Sequence, residues 1–361
     1  MLDIDDAWSS FCDGDLTSAL ENNSDEQEET GERDETCESV APKCSPLYVS
    51  TKTYIAFLNQ PIDLNNVFWK IPLTPYHVQK TGIVKKQMKF NSSSPEELDE
   101  ILSNIDNKSF TEQKLLSHID KTEGRIKFND VRKISIGICK KDITSCRCKQ
   151  KNAFYNCFAA FLRIKYDGIF REIHVKVFNT GELEIPGIQA DEMLSITLTL
   201  LCNILSPIVN NDLKWLPEKT YRVLINSNFV SGYYINRDKL YNILKYNYRI
   251  NSTYDSCSYP GIKCAFYYNT TLKTQTGQPP PLKKDGGEYD LGGIYIKMTC
   301  MIFRTGSALI VGNCADDVLF DIYAFWKNLL EAEYPVVGTQ LNIPDNKKNN
   351  KKLRKKIIIV E

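Results

Sequence analysis

The chain has 361 residues, 42% of them hydrophobic, with 45 basic and 45 acidic side chains and three histidines. That is enough apolar material for two or three packed units, and it excludes a fibrous or low-complexity protein. Twelve cysteines behind Met1-Leu2-Asp3-Ile4-Asp5-Asp6, which is no secretory signal, read as reduced thiols of a cytosolic or nuclear protein.

The zero net charge is a sum of opposites. Residues 1–45 hold fourteen Asp and Glu against Arg33 and Lys43, which leaves residues 46–361 with 43 basic and 31 acidic groups. A body this basic points to a polyanionic partner, with the acidic arm as an internal competitor. The arm lacks hydrophobic periodicity and reads as disordered. Leu2, Ile4, Trp8 and Phe11 among its acids suit either a docking segment or a solvated tail.

A strand is expected over 47–58, a short helix from Ile62-Asp63-Leu64, and an extended run over 82–91. In that run Lys85, Lys86 and Lys89 belong either to a phosphate-contacting strand or to a solvated edge strand. Ser94-Pro95-Glu96-Glu97 is a helix start by capping logic, so helices are expected near 95–105 and 111–119. Cys139, Cys146, Cys148 and Cys157 cluster without a zinc-site spacing and read as scattered thiols rather than metal ligands. His77, His118 and His174 show no ligand spacing either. The apolar stretch 193–209 carries Ser195, Thr197, Thr199, Asn203 and Ser206, and is read as a buried helix rather than a membrane span. A second half follows: a strand over 221–234, a helix over 235–246 and an extended run over 261–269. The basic tail from Lys347 to Lys356 suits phosphate contact, nuclear import or plain solvation.

The two halves repeat. At an offset of 125 residues Phe178-Asn179-Thr180-Gly181 returns as Phe303-Arg304-Thr305-Gly306, and positions 178–205 give ten identities without a gap. A duplicated strand–turn–strand–helix unit implies a pseudo-twofold protein, suited to a roughly twofold ligand such as duplex DNA. Aligning 76–91 with 254–269 places an insertion within 92–157. The expected organisation is an acidic arm (1–45), a first repeat with the insertion (46–211), a second repeat (212–333) and a basic tail (334–361). Alternation sends Cys300, Ile302, Ala308 and Ile310 toward the helix over 315–330. It leaves Met301, Phe303, Leu309 and Val311 on a bare apolar face, the mark of an interaction site.

The string from Tyr254 to Gly261, Met301-Ile302-Phe303-Arg304-Thr305-Gly306, Leu309-Ile310-Val311-Gly312 and Ile322-Tyr323-Ala324-Phe325-Trp326 resemble the second repeat of the TATA-box-binding protein family. Phe158-Ala159-Ala160 and Val177-Phe178-Asn179-Thr180-Gly181 resemble its first repeat. The insertion, the acidic arm and the Asn, Lys and Ile usage resemble the divergent versions of nucleocytoplasmic large DNA viruses.

The resemblance implies an α+β fold: a pseudo-twofold saddle, a curved antiparallel sheet with helices on its convex face. It implies a non-enzymatic transcription initiation factor that binds and bends AT-rich promoter DNA through the minor groove; apolar wedges and a strong kink are the general physics of this family. Position by position, Phe178 and Phe303 match the wedges before the Thr-Gly turns, Tyr259 matches the second repeat's other wedge, and Phe158 is the candidate for the first. Asn226 and Asn228 match the polar readers of the second repeat, against Thr51 and Thr53 in the first. Groove-facing Met301, Leu309 and Val311 stand against Lys176, Glu184 and Pro186 in the first repeat, where Glu182 and Glu184 oppose DNA. The implied partners are double-stranded DNA, RNA polymerase and basal initiation factors, bound by a monomer with no cofactor, no metal and no membrane. The implied location is the nucleus or a cytoplasmic viral factory, with packaging in the virion a further option. The alternative is an assembly factor of the same fold that binds polymerase or initiation proteins with little DNA binding.

Overall fold

The computed structural model describes residues 40–105, 110–121, 126–144, 156–282, 289 and 291–339. They fall into two compact units, one over Val49–Ile225 and one over Asn226–Ile343 together with the run that ends at Tyr48. The first unit contains β1 (Tyr48–Phe57), α1 (Leu64–Lys70), β2 (Gly82–Ser92), α2 (Pro95–Ser103), β3 (Thr111–Asp120) and β4 (Phe128–Gly137). It continues with α3 (Lys140–Thr144), β5 (Cys157–Tyr166), β6 (Ile169–Phe178), β7 (Glu182–Ile188) and α4 (Asp191–Val209). Its strands lie in the order β1-β7-β6-β5-β2-β4-β3, each pair antiparallel.

The second unit takes the latter half of β8 (Tyr221–Val230), then β9 (Tyr234–Ile235), α5 (Arg237–Asn242), β10 (Asn251–Thr253), β11 (Gly261–Asn269), β12 (Tyr295–Phe303), β13 (Ser307–Gly312), α6 (Asp316–Val337) and β14 (Gly338–Thr339). Its order is β10-β11-β12-β13-β8, with β14 on β9 apart. Among the described residues both units are antiparallel sheet with flanking helices, and no sheet there is strongly curled or closed.

The duplication reaches the backbone hydrogen bonds. Gly181 and Gly306 sit at φ +88° and +79°, and each N–H donates to the carbonyl of the phenylalanine three residues earlier. A Cβ would lie 2.6 Å from the Gln60 carbonyl oxygen at the first turn and 2.2 Å from that of Tyr233 at the second, so both positions require glycine. Each turn then receives two N–H groups from the start of its own unit: Leu58 and Ile62 donate to Gly181 and Asn179, Ser231 and Ile235 to Gly306 and Arg304. The helix that follows is N-capped the same way, by Asp63 in one unit and Asn236 in the other.

One face of each sheet is covered by its long helix. In the first unit Phe158, Leu162, Val175, Val177, Leu183 and Ile185 pack under Leu198, Leu201 and Leu205 of α4 and Phe68 of α1. Burying each such side chain stabilises by roughly 1.5–3 kcal/mol. Helix α4 has the length and composition of a membrane span, but seven of its residues are buried in this core. In the second unit Phe266 and Trp326 are both buried, with ring centroids 6.0 Å apart.

The strand order corrects two expectations. The partner of β6 is β5, as β11 is the partner of β12, so residues 157–166 and not 82–91 correspond to 261–269. The run 82–91 is no edge strand but lies between β5 and β4, and it corresponds to the three-residue β10. The segment 111–119 is a strand, not a helix. Its helix-favouring Glu112, Gln113, Lys114 and Leu115 are overridden by the ladder to β4, whose Ile134 and Ile136 are buried in the core. Helix α2 forms where capping logic puts it: Ser94 Oγ accepts from the Glu97 N–H, and the Glu97 carboxylate accepts from the Ser93 N–H and hydroxyl.

Candidate nucleic-acid interface

In the second unit the face turned away from α6 is built by alternation. Thr299, Met301 and Phe303 share it with Leu309 and Val311, because Met301 pairs with Leu309 and Thr299 with Val311. Cross-strand pairing extends the Met301 row to Lys263 and Thr253. This face is not bare as expected: Met301, Leu309 and Val311 are 3%, 2% and 2% exposed. The Tyr259 hydroxyl reaches the Met301 sulfur at 3.3 Å.

What remains accessible lies at the end of the face. The half-buried rings of Tyr259 and Phe303 meet at 5.9 Å and 59°. Gly261 makes this contact possible, since a Cβ there would sit 3.0 Å from both rings. Beside the pair a cavity of about 390 Å³ is lined by Tyr254, Asp255, Ser258, Tyr259 and Lys263. Of the two asparagines on β8, Asn226 is buried and Asn228 half-buried.

In the first unit the corresponding face is polar. Lys176 pairs with Glu184 as Met301 pairs with Leu309, and the two charges form an ion pair at 2.9 Å. Glu184 is therefore neutralised by Lys176, a partner that sequence reasoning missed although both residues were assigned to one face. Ile55 pairs with Glu184, and Thr53 on the same strand is buried while Thr51 is half-buried. Phe178 is half-buried at the end of β6, the counterpart of Phe303.

Further along, the face is covered. Arg163 donates to the carbonyls of Tyr76 and Val78, and Lys85 is held by Asp142 of α3 at 2.8 Å. Phe161 and His174 stack between them at 4.6 Å.

Phe158 is not on this face. It pairs with Val177, is 0% exposed, and packs against Phe68 on the helix side. The Phe-Ala-Ala match misled because register runs the other way: Cys157 pairs with Phe178 as Gly261 pairs with Phe303. The counterpart of Tyr259 then falls among residues 145–155, outside the described residues. Lys86 also points to the helices. Its ammonium donates to the carbonyls of Phe68 and Ile71 at 2.7 and 2.9 Å, closing the C-terminus of α1, and burial lowers its pKa to about 8.

Among the described residues, the buried cysteines carry no reactive signature. Burial, with Asp142 beside it, pushes the Cys139 thiol up to about 11; burial alone takes Cys264 to about 12. Cys146 and Cys148 lie outside the described residues, and among the described ones no group of three His, Cys, Asp or Glu could hold a metal ion.

No family model matches the chain, and no curated protein does. Among solved structures, a TBP of Methanococcus jannaschii is similar to it over 81% of this chain and 99% of that one, at 10% identity and a TM-score of 0.39.

Proposed function

We propose that the protein is a TATA-box-binding-like initiation factor that binds AT-rich duplex DNA in the minor groove, bends it, and recruits polymerase and basal initiation factors. The Tyr259–Phe303 pair carries this reading. Two accessible aromatic rings, set side by side at the rim of an apolar strand face, suit insertion at a base step; unstacking a step costs a few kcal/mol, offset by ring contact and by the surface a bend brings in. Asn228 supplies an amide for the acceptors of A·T pairs. The test is fluorescence transfer across an end-labelled AT-rich duplex titrated with the full chain. Binding with a bend supports the reading, and a straight or unbound duplex overturns it.

One observation favours a second reading, an assembly factor with little DNA binding. The first unit's face holds a neutralised ion pair and is partly covered by Tyr76 and α3. Retention of polymerase or initiation proteins by a chain that leaves duplex DNA unbound would select it.

A further inference from the structure

Helix α5 and the turn after it, residues 237–250, carry Arg237, Lys239, Lys245 and Arg249 against Asp238, with Tyr241, Tyr246 and Tyr248 among them. Counted from the equivalent cap, Asp63, the first unit has Lys70 and one tyrosine over 64–77. In the second unit the cations and rings form one array. Arg237 lies over Tyr254 at 5.3 Å and donates to the Pro260 carbonyl, and Tyr254 meets Tyr241 at 6.2 Å. The Lys245 ammonium stands 5.2 Å from the Tyr241 ring and 5.6 Å from that of Tyr246, and it donates to the Tyr241 hydroxyl, a neutral group. These partners orient the cations without cancelling their charge. Among the described residues no carboxylate pairs with Arg237, Lys245 or Arg249.

The backbone presents this array to the outside. The Tyr248 N–H bonds to the carbonyl of Ile243, five residues back, so Ile243–Asn247 is wound as a π-turn, and Arg249 sits at φ +57°. Both conformations cost energy and cluster at functional sites. Here they leave Lys245, Tyr246 and Asn247 exposed in succession, Tyr246 to 67%. Exposed rings bracketing an ammonium suit a partner that brings carboxylates and aromatic groups together.

The chain itself holds such a segment: residues 2–13 contain Asp3, Asp5, Asp6 and Asp13 with Trp8 and Phe11. The described run that begins at Val40 is fixed to this same unit. Ser45 exchanges hydrogen bonds with Val230, and its carbonyl accepts from the Tyr323 hydroxyl of α6. Cys44 lies beside Glu331 of α6, and Tyr248 of the array donates to Glu333. Residues two apart on a helix lie on opposite flanks, so about one helix diameter, ~10 Å, separates the root of the arm from the array. Phe11 is 29 residues from Val40, and a linker of that length spans about 30 Å r.m.s..

We infer that the array from Arg237 to Arg249 is the docking site of the chain's own acidic segment, residues 2–13, with carboxylates on its cations and Trp8 and Phe11 on its rings. This goes beyond the DNA-binding reading and does not depend on it. Tyr254 also lines the cavity beside Tyr259, so the seated segment stands at the border of the proposed interface.

The test is amide hydrogen exchange of the full chain, read by mass spectrometry over residues 2–13. Tethering at about 1 mM effective concentration holds a contact of about 0.1 mM affinity about 90% docked and slows exchange about tenfold. K245E/R249E returns these amides to the free rate, and adding D5K/D6K to that variant restores the slowing. Both array positions are exposed, so β11 and β12 keep the parent's exchange and serve as the folding control. Exchange over 2–13 at the free rate in the parent overturns the inference. Slowing that survives K245E/R249E also overturns it and places the segment elsewhere. Single-stranded DNA that binds the parent, but not K245E/R249E, while residues 2–13 exchange freely overturns it in favour of a nucleic acid.

Discussion

The two units share a backbone and differ in what they put on one face of it. Turn, latch and cap are the same: Gly181 and Gly306 at positive φ, two N–H groups donated to each turn, Asp63 and Asn236 at the helix starts. On the face away from the helices, Met301 opposite Leu309 becomes Lys176 opposite Glu184, and Ala265 becomes Phe161 stacked on His174. Duplication thus fixed the parts that set chain direction, while the rows on this face diverged. Selection on backbone geometry is satisfied by few residues; selection on a surface depends on what the surface meets.

If the turns are equivalent, breaking either should hurt its own unit most. Gly306→Ala and Gly181→Ala each add a left-handed penalty of about 1–2 kcal/mol and a clash with a carbonyl oxygen. A combined loss of about 3 kcal/mol is expected for each, larger at 306, where the contact is closer. Thermal melts of both variants check it, and unequal sensitivity in the opposite order breaks the equivalence. Lys86→Met then distinguishes the units, since the second has no such lysine under its short helix. Stranding the Phe68 and Ile71 carbonyls should cost about 2–3 kcal/mol, and hydrogen exchange should report the loss in residues 64–71 and 82–92.

The faces are compared by Phe303→Ala and Phe178→Ala in the bending assay. Phe303→Ala should lose the bend and about 2 kcal/mol of affinity, because its ring has Tyr259 beside it. A larger effect of Phe178→Ala would reverse the assignment of the dominant half. The smallest expected effect is that of Glu184→Val, which frees Lys176 for a phosphate. A part-exposed pair contributes little to folding, so stability should change by under about 1 kcal/mol while DNA affinity rises by a similar amount. Affinity that stays the same or falls in a folded variant would show that this face does not meet DNA.

Much of this was legible in sequence, for physical reasons that also mark where legibility ended. The Thr-Gly turns, the helix start near Asp63, the cap at Ser94 and the alternation of β12 and β13 depend on neighbours a few residues away. The segment 111–119 has helical residue types, and only its pairing with a strand beyond the next turn makes it β. Phe158 was misplaced for a related reason: a local string says nothing of register, and a shift of one residue moves a side chain to the other face. Lys85 and Lys86 are adjacent and alike in sequence, yet one meets Asp142 and the other a helix end.

Under the DNA-binding function proposed above, the Lys176–Glu184 pair has a consequence for orientation. A binding protein made of two identical halves would settle on a roughly twofold duplex equally well in either direction, and no signal about upstream and downstream would pass through it. Replacing an apolar pair by a charged one in a single half makes the two placements unequal, and an inequality of only 1.4 kcal/mol sets them at about ten to one. On a promoter, such a bias is what turns a site into an arrow.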